Sequence, residues 1–182
     1  MVYFIDETYL KRQTTISGNF DVVELVPFIL QAQDMHIQEL TGSELYNELL
    51  AAIQNSTVTS DQATLLALIR PALAYYTAVE AMPFSSLKIR PKGVVKGEGD
   101  GVTSATIEEI EYLRGNYRVT AEFHGQRVKH HLRTNVAKFP AYYRLTAQTD
   151  IAPNDTAYTM PIAFDDEGMN KNEKDFYRRW LL

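Results

Sequence analysis

The chain has 182 residues, a formal net charge of -5 at pH 7 and no cysteine. This length fits one domain with an appendage, and such a domain buries enough surface to fold without a disulfide or a structural metal. The lack of cysteine excludes disulfides and thiolate zinc sites, and no uninterrupted apolar run approaches the ~20 residues of a membrane-spanning helix.

The charge is unevenly distributed along the chain. Residues 1–69 carry nine acidic and two basic side chains, whereas residues 70–145 carry seven acidic and twelve basic ones. Residues 146–182 are again acidic, with a net charge of -3. Two readings are open: solvated helix faces with no further meaning, or opposite faces of one subunit that attract each other in a head-to-tail assembly.

The N-terminal third predicts an arm followed by two helices. Residues 1–20 lack a helical period and are rich in turn formers near their end, which predicts an extended arm. Apolar residues at helical spacing then predict a helix over Val22–Leu40, with Pro27 tolerated in its first turns. Gly42 is expected to stop this helix in a left-handed conformation. A short second helix is predicted over Ser43–Gln54.

A third helix is predicted over Ser60–Met82. It opens on a capping-box pattern, Thr-x-x-Gln, that begins at Thr59. Pro71 lies in its middle and removes one backbone hydrogen bond, so we expect a kink or break near Arg70. Pro83 is expected to end the helix.

The next segment changes character. Residues 84–105 combine a β-compatible run with several glycines and predict a short hairpin or loop. A second capping box, formed by Thr106 and Glu109, then opens one long helix that extends to about Asn135. A Phe-Pro pair at Phe139 closes it.

The last part, residues 146–182, predicts an extended C-terminal tail. Its composition is polar, but its end carries three large apolar residues on one side of a possible helical turn: Phe176, Trp180 and Leu181. Such a tail is typical of a segment that orders on a partner, although packing on its own domain is an equal alternative. The predicted fold is mainly α: a helical bundle with one long helix, a small β-hairpin or loop insertion and this tail. The predicted units are an arm at 1–20, a core at 21–145 and the tail.

No pattern in the chain predicts catalysis or a cofactor. The four histidines lack the i, i+4 spacing of a shared metal site. The glycines at 97, 99 and 101 do not complete a phosphate-binding pattern, and the acidic residues between them would repel phosphate. Nucleophile motifs are also missing. We therefore expect a protein that is not an enzyme and that holds no cofactor or metal.

Basic residues follow the predicted long helix, and we expect them to contact either a neighbouring subunit or DNA: Arg114, Arg118, Arg127, Lys129 and Arg133. Sequence-independent contact with DNA phosphates requires only such charge. The acidic overall balance and the lack of a recognised reader motif favour a solvated or subunit-facing helix side over DNA contact.

Five segments of the chain resemble head–tail connector proteins of tailed phages: FIDETYLKRQTTISGN, AQDMHIQELTGSELYNEL, IRPALAYYTAVEAMP, KIRPKGV and NVAKFPAY. The resemblance covers about residues 3–145 and is closest to the neck ring or adaptor proteins, of the head-completion type, found in phages of Bacteroidetes, including the crAss-like group. It rests on apolar spacing and a few marker residues.

The resemblance implies a structural virion protein without cofactor or turnover. Such proteins form a homo-oligomeric ring, usually a dodecamer, that docks on the portal protein, leads to other neck and tail proteins and passes DNA through its lumen. It also implies assembly in the host cytoplasm, a final place at the virion neck and no membrane. The alternative is a helical DNA-binding or packaging accessory protein.

Overall fold

The computed structural model describes residues 2–16, 22–90, 93–96, 106–145 and 150–154. Within them the fold is a mainly α helical bundle, as predicted. Its helices, in chain order, are α1 (Glu7–Gln13), α2 (Val22–Ala32), α3 (Gln38–Gln54), α4 (Ser60–Ser86), α5 (Ile107–Thr134) and α6 (Pro140–Tyr143). Two short strands, β1 (Leu87–Arg90) and β2 (Gly93–Lys96), pair antiparallel between α4 and α5.

Helix α4 is the central element of the bundle. It packs against α5 along most of its length and against α2 and α1. Its buried residues therefore lie on several sides of the helix, such as Leu65, Leu66 and Ala74. The segment Ser60–Phe84 is long and apolar enough to cross a membrane by length and composition, yet more than half of it is buried inside the fold. Its apolar character is that of a core helix.

Pro83 does not end α4, so that prediction is wrong, and the helix runs through Pro71 without the break that was one of the two alternatives expected near Arg70. Pro71 lies within a helix that continues to Ser86, and Pro83 lies there too. Each proline deprives the carbonyl four residues earlier of its donor. The carbonyl of Val79, four residues before Pro83, accepts a hydrogen bond from Arg114 Nε at 3.2 Å instead. The Arg114 side chain on α5 thus replaces the donor that Pro83 lacks.

The predicted helix over Val22–Leu40 exists, but it contains a wider turn. Helix α2 passes into a π-helical turn at Gln33–Ile37 and then into α3. The backbone breaks at Gly42, where φ is 73° and ψ is 155°, and helical geometry resumes to Gln54. The predicted stop at Gly42 and the predicted second helix are therefore confirmed.

The N-terminal segment is not simply an extended arm, because Glu7–Gln13 form helix α1. Asp6 caps this helix by accepting a hydrogen bond from the amide of Tyr9. The side chain of Leu10 is fully buried. Residues 1–20 lacked a visible helical period because α1 has only seven residues and buries one of them, Leu10. Residues 17–20 lie outside the described part of the chain.

Buried polar groups hold the strand-like residues before α1. The side chain of Gln33, in the π-helical turn, is 1% exposed. Its Oε1 accepts from the amide of Phe4 at 2.9 Å, and its Nε2 donates to the carbonyl of Val2 at 3.2 Å. Arg70 Nε on α4 donates to the carbonyl of Phe4 at 3.1 Å. These bonds satisfy a backbone segment that pairs with no strand among the described residues.

Helix α5 begins and ends where the sequence indicated. Thr106 and Glu109 form both bonds of the predicted capping box, and Asn135 caps the C-terminal end. A 3-10 turn at Val136–Lys138 follows, and α6, which was not predicted, then packs against α3. At 1.5 Å per residue, the 28 residues of α5 span about 42 Å.

Candidate functional site

A clip formed by Ile151–Asn154 closes the helix break at Gly42. In a continuous helix the amide of Ser43 would donate to the carbonyl of Glu39. Here the amide of Ser43 donates to the carbonyl of Ile151 at 2.9 Å, and the carbonyl of Glu39 accepts from the amide of Asn154 at 2.8 Å. The clip thus replaces one helical hydrogen bond by two and joins the start of the predicted tail to the core.

The clip requires glycine at the break. A Cβ on Gly42 would lie 2.7 Å from Pro153 Cδ, closer than packed carbon atoms approach. The positive φ at Gly42 is also unfavourable for any residue with a side chain. Two side chains add to the clip, because Ser43 Oγ accepts from the amide of Ile151 and Asn154 Nδ2 donates to Glu39 Oε1.

The five basic residues predicted to form one contact surface do not lie on one face of α5. Arg118, Arg127 and Arg133 are exposed. Lys129 points into the bundle and is 5% exposed, and the half-buried Arg114 is bound to the carbonyl of Val79. A helix turns 100° per residue, so these five positions spread over more than half of its circumference. Arg118, Arg127 and Arg133 thus lie at the surface, whereas Lys129 and Arg114 are turned towards the bundle, and the expected contact with a subunit or with DNA stays a prediction.

A polar cleft of about 300 Å³ lies between the π-helical turn, α4 and α5. His36 stacks on Tyr76 with ring centroids 4.1 Å apart, and its Nε2 lies 3.0 Å from Glu80 Oε1. Burial raises the pKa of Tyr76 to about 12, with a further contribution from the carboxylates of Glu122 and Glu39. The His36–Tyr76 stack and the His36–Glu80 contact bind the turn to α4. Among the described residues, no group of three or more His, Cys, Asp or Glu side chains could hold a metal ion.

His124 on α5 is held in its neutral form. Burial lowers the pKa of its imidazole, and the nearby charge of Arg127 lowers it further. The ring stacks on Tyr75 of α4 with centroids 5.7 Å apart. Its Nδ1 is buried and has no hydrogen-bond partner within the part of the chain that the structure describes. Protonation would place a buried N–H without an acceptor there, so the burial of this nitrogen favours the neutral ring.

The outer face of α5 exposes large apolar side chains. Tyr112 is 77% exposed, Val119 is 66% exposed and Phe123 is 61% exposed. The opposite face of the same helix is buried against α4 through Tyr117, Ala121 and other residues. Phe123 also lines a groove of about 500 Å³ between α4 and α5. Basic side chains line the same groove, among them Arg127, His130 and His131.

The surface of α2 and α3 is acidic. Residues 22–69 contain six acidic side chains and neither lysine nor arginine. The exposed ones are Glu24, Asp34, Glu39 and Glu48. Helices α2 and α5 both pack on α4 and make few or no contacts with each other. The acidic side chains of α2 therefore lie away from α5, whereas Glu39 of α3 lines the polar cleft together with Arg118 of α5.

Several site predictions lie outside the described residues. These are the aromatic end of the tail, with Phe176, Trp180 and Leu181, and the glycines at 97, 99 and 101. The clip and the buried Gln33 were not predicted. A Pro at 153 and a polar Asn at 154 gave no signal, because their role depends on a helix break that is distant in sequence.

The comparisons with known proteins place the chain in a family. No curated protein and no solved structure matches it. A family model described as a family of unknown function, DUF6712, matches residues 37–150, which run from the end of the π-helical turn to the start of the clip and include α4 and α5. This match covers more than half of the chain, which therefore belongs to the DUF6712 family of unknown function.

Proposed function

We propose that the chain is a structural virion protein that forms a ring at the portal–tail junction, a head–tail connector or adaptor through which DNA passes. The observation that carries the proposal is the uneven distribution of charge along the chain. The acidic surface lies on α2 and α3, whereas the net positive charge lies on the part of the chain from Arg70 to the end of α6.

Separated charges suit a head-to-tail contact between copies. In such a contact each subunit buries two different surfaces, and a closed rotation produces a ring. Opposite potentials on the two surfaces fix the register and accelerate the encounter. A two-fold contact would instead bring like surfaces together, so acidic α2 would repel its own copy.

The resemblance to phage neck proteins supplies the other partners in this proposal. The ring would dock on the portal protein and hold further neck and tail proteins at the virion neck. The tail that follows the clip would reach the portal, with its apolar end of Phe176, Trp180 and Leu181 as the docking element. Assembly would take place in the host cytoplasm, without a membrane.

The test is assembly with the portal protein encoded in the same genome. Both proteins are produced together and the complex is weighed by native mass spectrometry. We expect several copies of the chain on each portal ring, in a fixed ratio. The variant Glu24→Lys/Asp34→Lys should lower that ratio, whereas Glu7→Lys, on α1 and outside the acidic surface, should leave it unchanged. A portal ring that never carries the chain would refute the proposal.

A second function, as a DNA-binding or packaging accessory protein, is supported by exposed bases on α5. Arg127 and Arg133 are exposed, and His130 lies between them on the same helix. Binding to duplex DNA should then weaken steeply with salt: for each phosphate contact, the association constant falls about tenfold when the salt concentration rises tenfold. If Arg127→Ala/Arg133→Ala leaves affinity and salt slope unchanged, this second function is excluded.

A further inference from the structure

The groove between α4 and α5 is mostly apolar and open to solvent. Phe123 of α5 contributes a ring that is 61% exposed, and Leu68 of α4 contributes a half-buried side chain. The groove extends along α5 from Phe123 to Thr134, which at 1.5 Å per residue is about 16 Å. In the described part of the chain, only α4, α5 and the cap residue Asn135 line it, so no further segment covers its apolar side chains.

The ionisable side chains that line this groove are all basic: Arg127, His130 and His131. Arg127 and His130 are exposed, and neither side chain forms a hydrogen bond or an ion pair within the described ranges. A guanidinium is always charged, and both a guanidinium and an imidazole N–H donate to carboxylates. The groove is therefore suited to a segment that combines apolar side chains with carboxylates.

The chain itself contains such a segment shortly after the clip. Large apolar residues stand at alternate positions of residues 158–164, and an extended backbone places such positions on one face: Tyr158, Met160, Ile162 and Phe164. Three carboxylates follow at residues 165–167, and the sequence has no base between Asn154 and Lys171. We propose that residues 158–167, the groove-binding segment, bind in the groove of their own copy.

The position of the clip brings the groove within reach of this segment. Asn154, the last residue of the clip, lines the polar cleft, and Gln126 of α5 lines both the cleft and the groove. With its side chains α5 is about 10–12 Å across, so half of its circumference is about 17 Å. An extended chain covers about 3.3 Å per residue and reaches the groove about five residues after Asn154. The apolar run begins at about this distance, and its extended length of about 20 Å is close to that of the groove.

Attachment to the clip favours the groove of the same copy over the groove of a second one. A short link holds a segment near its site at an effective concentration on the order of millimolar. A second copy at micromolar concentration competes poorly with a segment held in this way, even when the intrinsic affinity is weak. Opposite charges strengthen the contact, because the carboxylates of the segment meet Arg127 and His130 at the groove.

This contact goes beyond the proposed ring and does not depend on it. The groove-binding segment ends at residue 167, so the apolar end of the tail, with Phe176, Trp180 and Leu181, is left for another partner. Binding in the groove covers Phe123 in the free protein. Loss of this contact would leave the number of copies on a portal ring unexplained and untouched, so the two proposals fail separately.

Carbodiimide coupling, which joins a lysine to a carboxylate that it contacts, tests the position of the segment. The variant Arg127→Lys keeps the charge in the groove and is prepared in the full chain in isotopically heavy and light forms, which are mixed in equal amounts. We expect cross-links from the introduced lysine to residues 165–167 in which both peptides carry the same isotope. The natural ion pair of Lys138 and Asp61, 2.8 Å apart, is the internal control for coupling.

Two results of this experiment would overturn the proposal. Cross-linked peptides with mixed isotopes would show that the segment binds a second copy. Coupling of Lys138 to Asp61 without any link from the groove to residues 165–167 would show that the segment lies elsewhere.

The accessibility of His130 supplies a second test, without a cross-link. Its carbethoxylation rate is measured by mass spectrometry in full-length Ile162→Asp/Phe164→Asp and in the matched control Phe176→Asp/Trp180→Asp. We expect the rate to rise about threefold or more in the first variant, because the reagent reaches the ring only in the unbound fraction, and to stay unchanged in the control. His36, in the polar cleft, should react at one rate throughout and so report an intact fold. An unchanged rate at His130 in the first variant, or an equal rise in both, would overturn the proposal.

Discussion

Replacing Gly42 by alanine tests the account of the clip most closely. The variant adds one methyl group at the break between the two parts of α3. That methyl carbon would lie 2.7 Å from Pro153 Cδ and 3.0 Å from both the Cγ and the backbone nitrogen of Pro153. The backbone at this position, with φ of 73° and ψ of 155°, is one that residues other than glycine rarely adopt.

Two penalties add in this variant. The backbone strain amounts to about 1–3 kcal/mol. Forcing an extra carbon into a filled site costs about 1–3 kcal/mol more. The clip could move aside to relieve the contact, but it would then lose its hydrogen bonds to Glu39 and Ser43, each with a net contribution of about 1 kcal/mol. We therefore expect Gly42→Ala to lower the free energy of unfolding by about 3–4 kcal/mol and Tm by about 10 °C.

The assay is urea unfolding followed by circular dichroism, with two further variants. Gly115→Ala is the matched control: Gly115 lies in α5 with no atom within 4 Å of the added carbon, so we expect a gain of about 0.5–1 kcal/mol. Gly42→Ala/Pro153→Ala should recover about 1 kcal/mol of the steric part, while the backbone strain remains. A loss below about 1 kcal/mol for Gly42→Ala would refute the reasoning, since the strain alone predicts more.

Three further predictions concern single side chains. Arg114→Met should destabilise the fold by about 1–3 kcal/mol because the carbonyl of Val79 loses its donor. In a Pro83→Ala background the loss should be smaller, since the backbone amide of residue 83 can then donate to that carbonyl. Equal losses in both backgrounds, measured by urea unfolding, would contradict this. Gln33→Ala should lower the free energy of unfolding by about 1–3 kcal/mol and speed hydrogen exchange at the amide of Phe4. Unchanged exchange at this amide would exclude the anchoring role of Gln33. His124 has a folded pKa below its unfolded value, so its contribution to stability is full at neutral pH and is lost as pH falls through about 6.5. His124→Phe should flatten the decrease in Tm between pH 7 and pH 5, an interval that begins above the ordinary histidine pKa of about 6.5. An unchanged slope would show that the protonation of His124 is not linked to folding.

Local signals were sufficient for most of the helices. The capping box at Thr106 and the apolar period of α5 fix that helix because its own residues make both its cap and its buried face. The same holds for the stop at Gly42, where only glycine has the required conformational freedom. In these cases the determining interactions lie within a few residues of each other.

The errors share a different cause, which is compensation from a distant residue. Pro83 was expected to end α4, but Arg114 on another helix supplies the missing donor. The arm was expected to be extended, but Glu7–Gln13 form α1, whose Leu10 is buried in the core formed by the other helices. The clip at Gly42 joins residues more than one hundred positions apart. A pattern confined to one segment cannot register such partners, and the same limit applies to Lys129, which lies on the buried side of α5.

The proposed ring has one most direct test: electron microscopy of the virus particle, or of the purified portal complex, that contains this chain. The account predicts a ring of copies between portal and tail, with the acidic surface of α2 and α3 against the basic part of the next copy and DNA passing through the lumen. A neck without density for this fold would contradict the account, and so would copies that meet through identical surfaces within the ring.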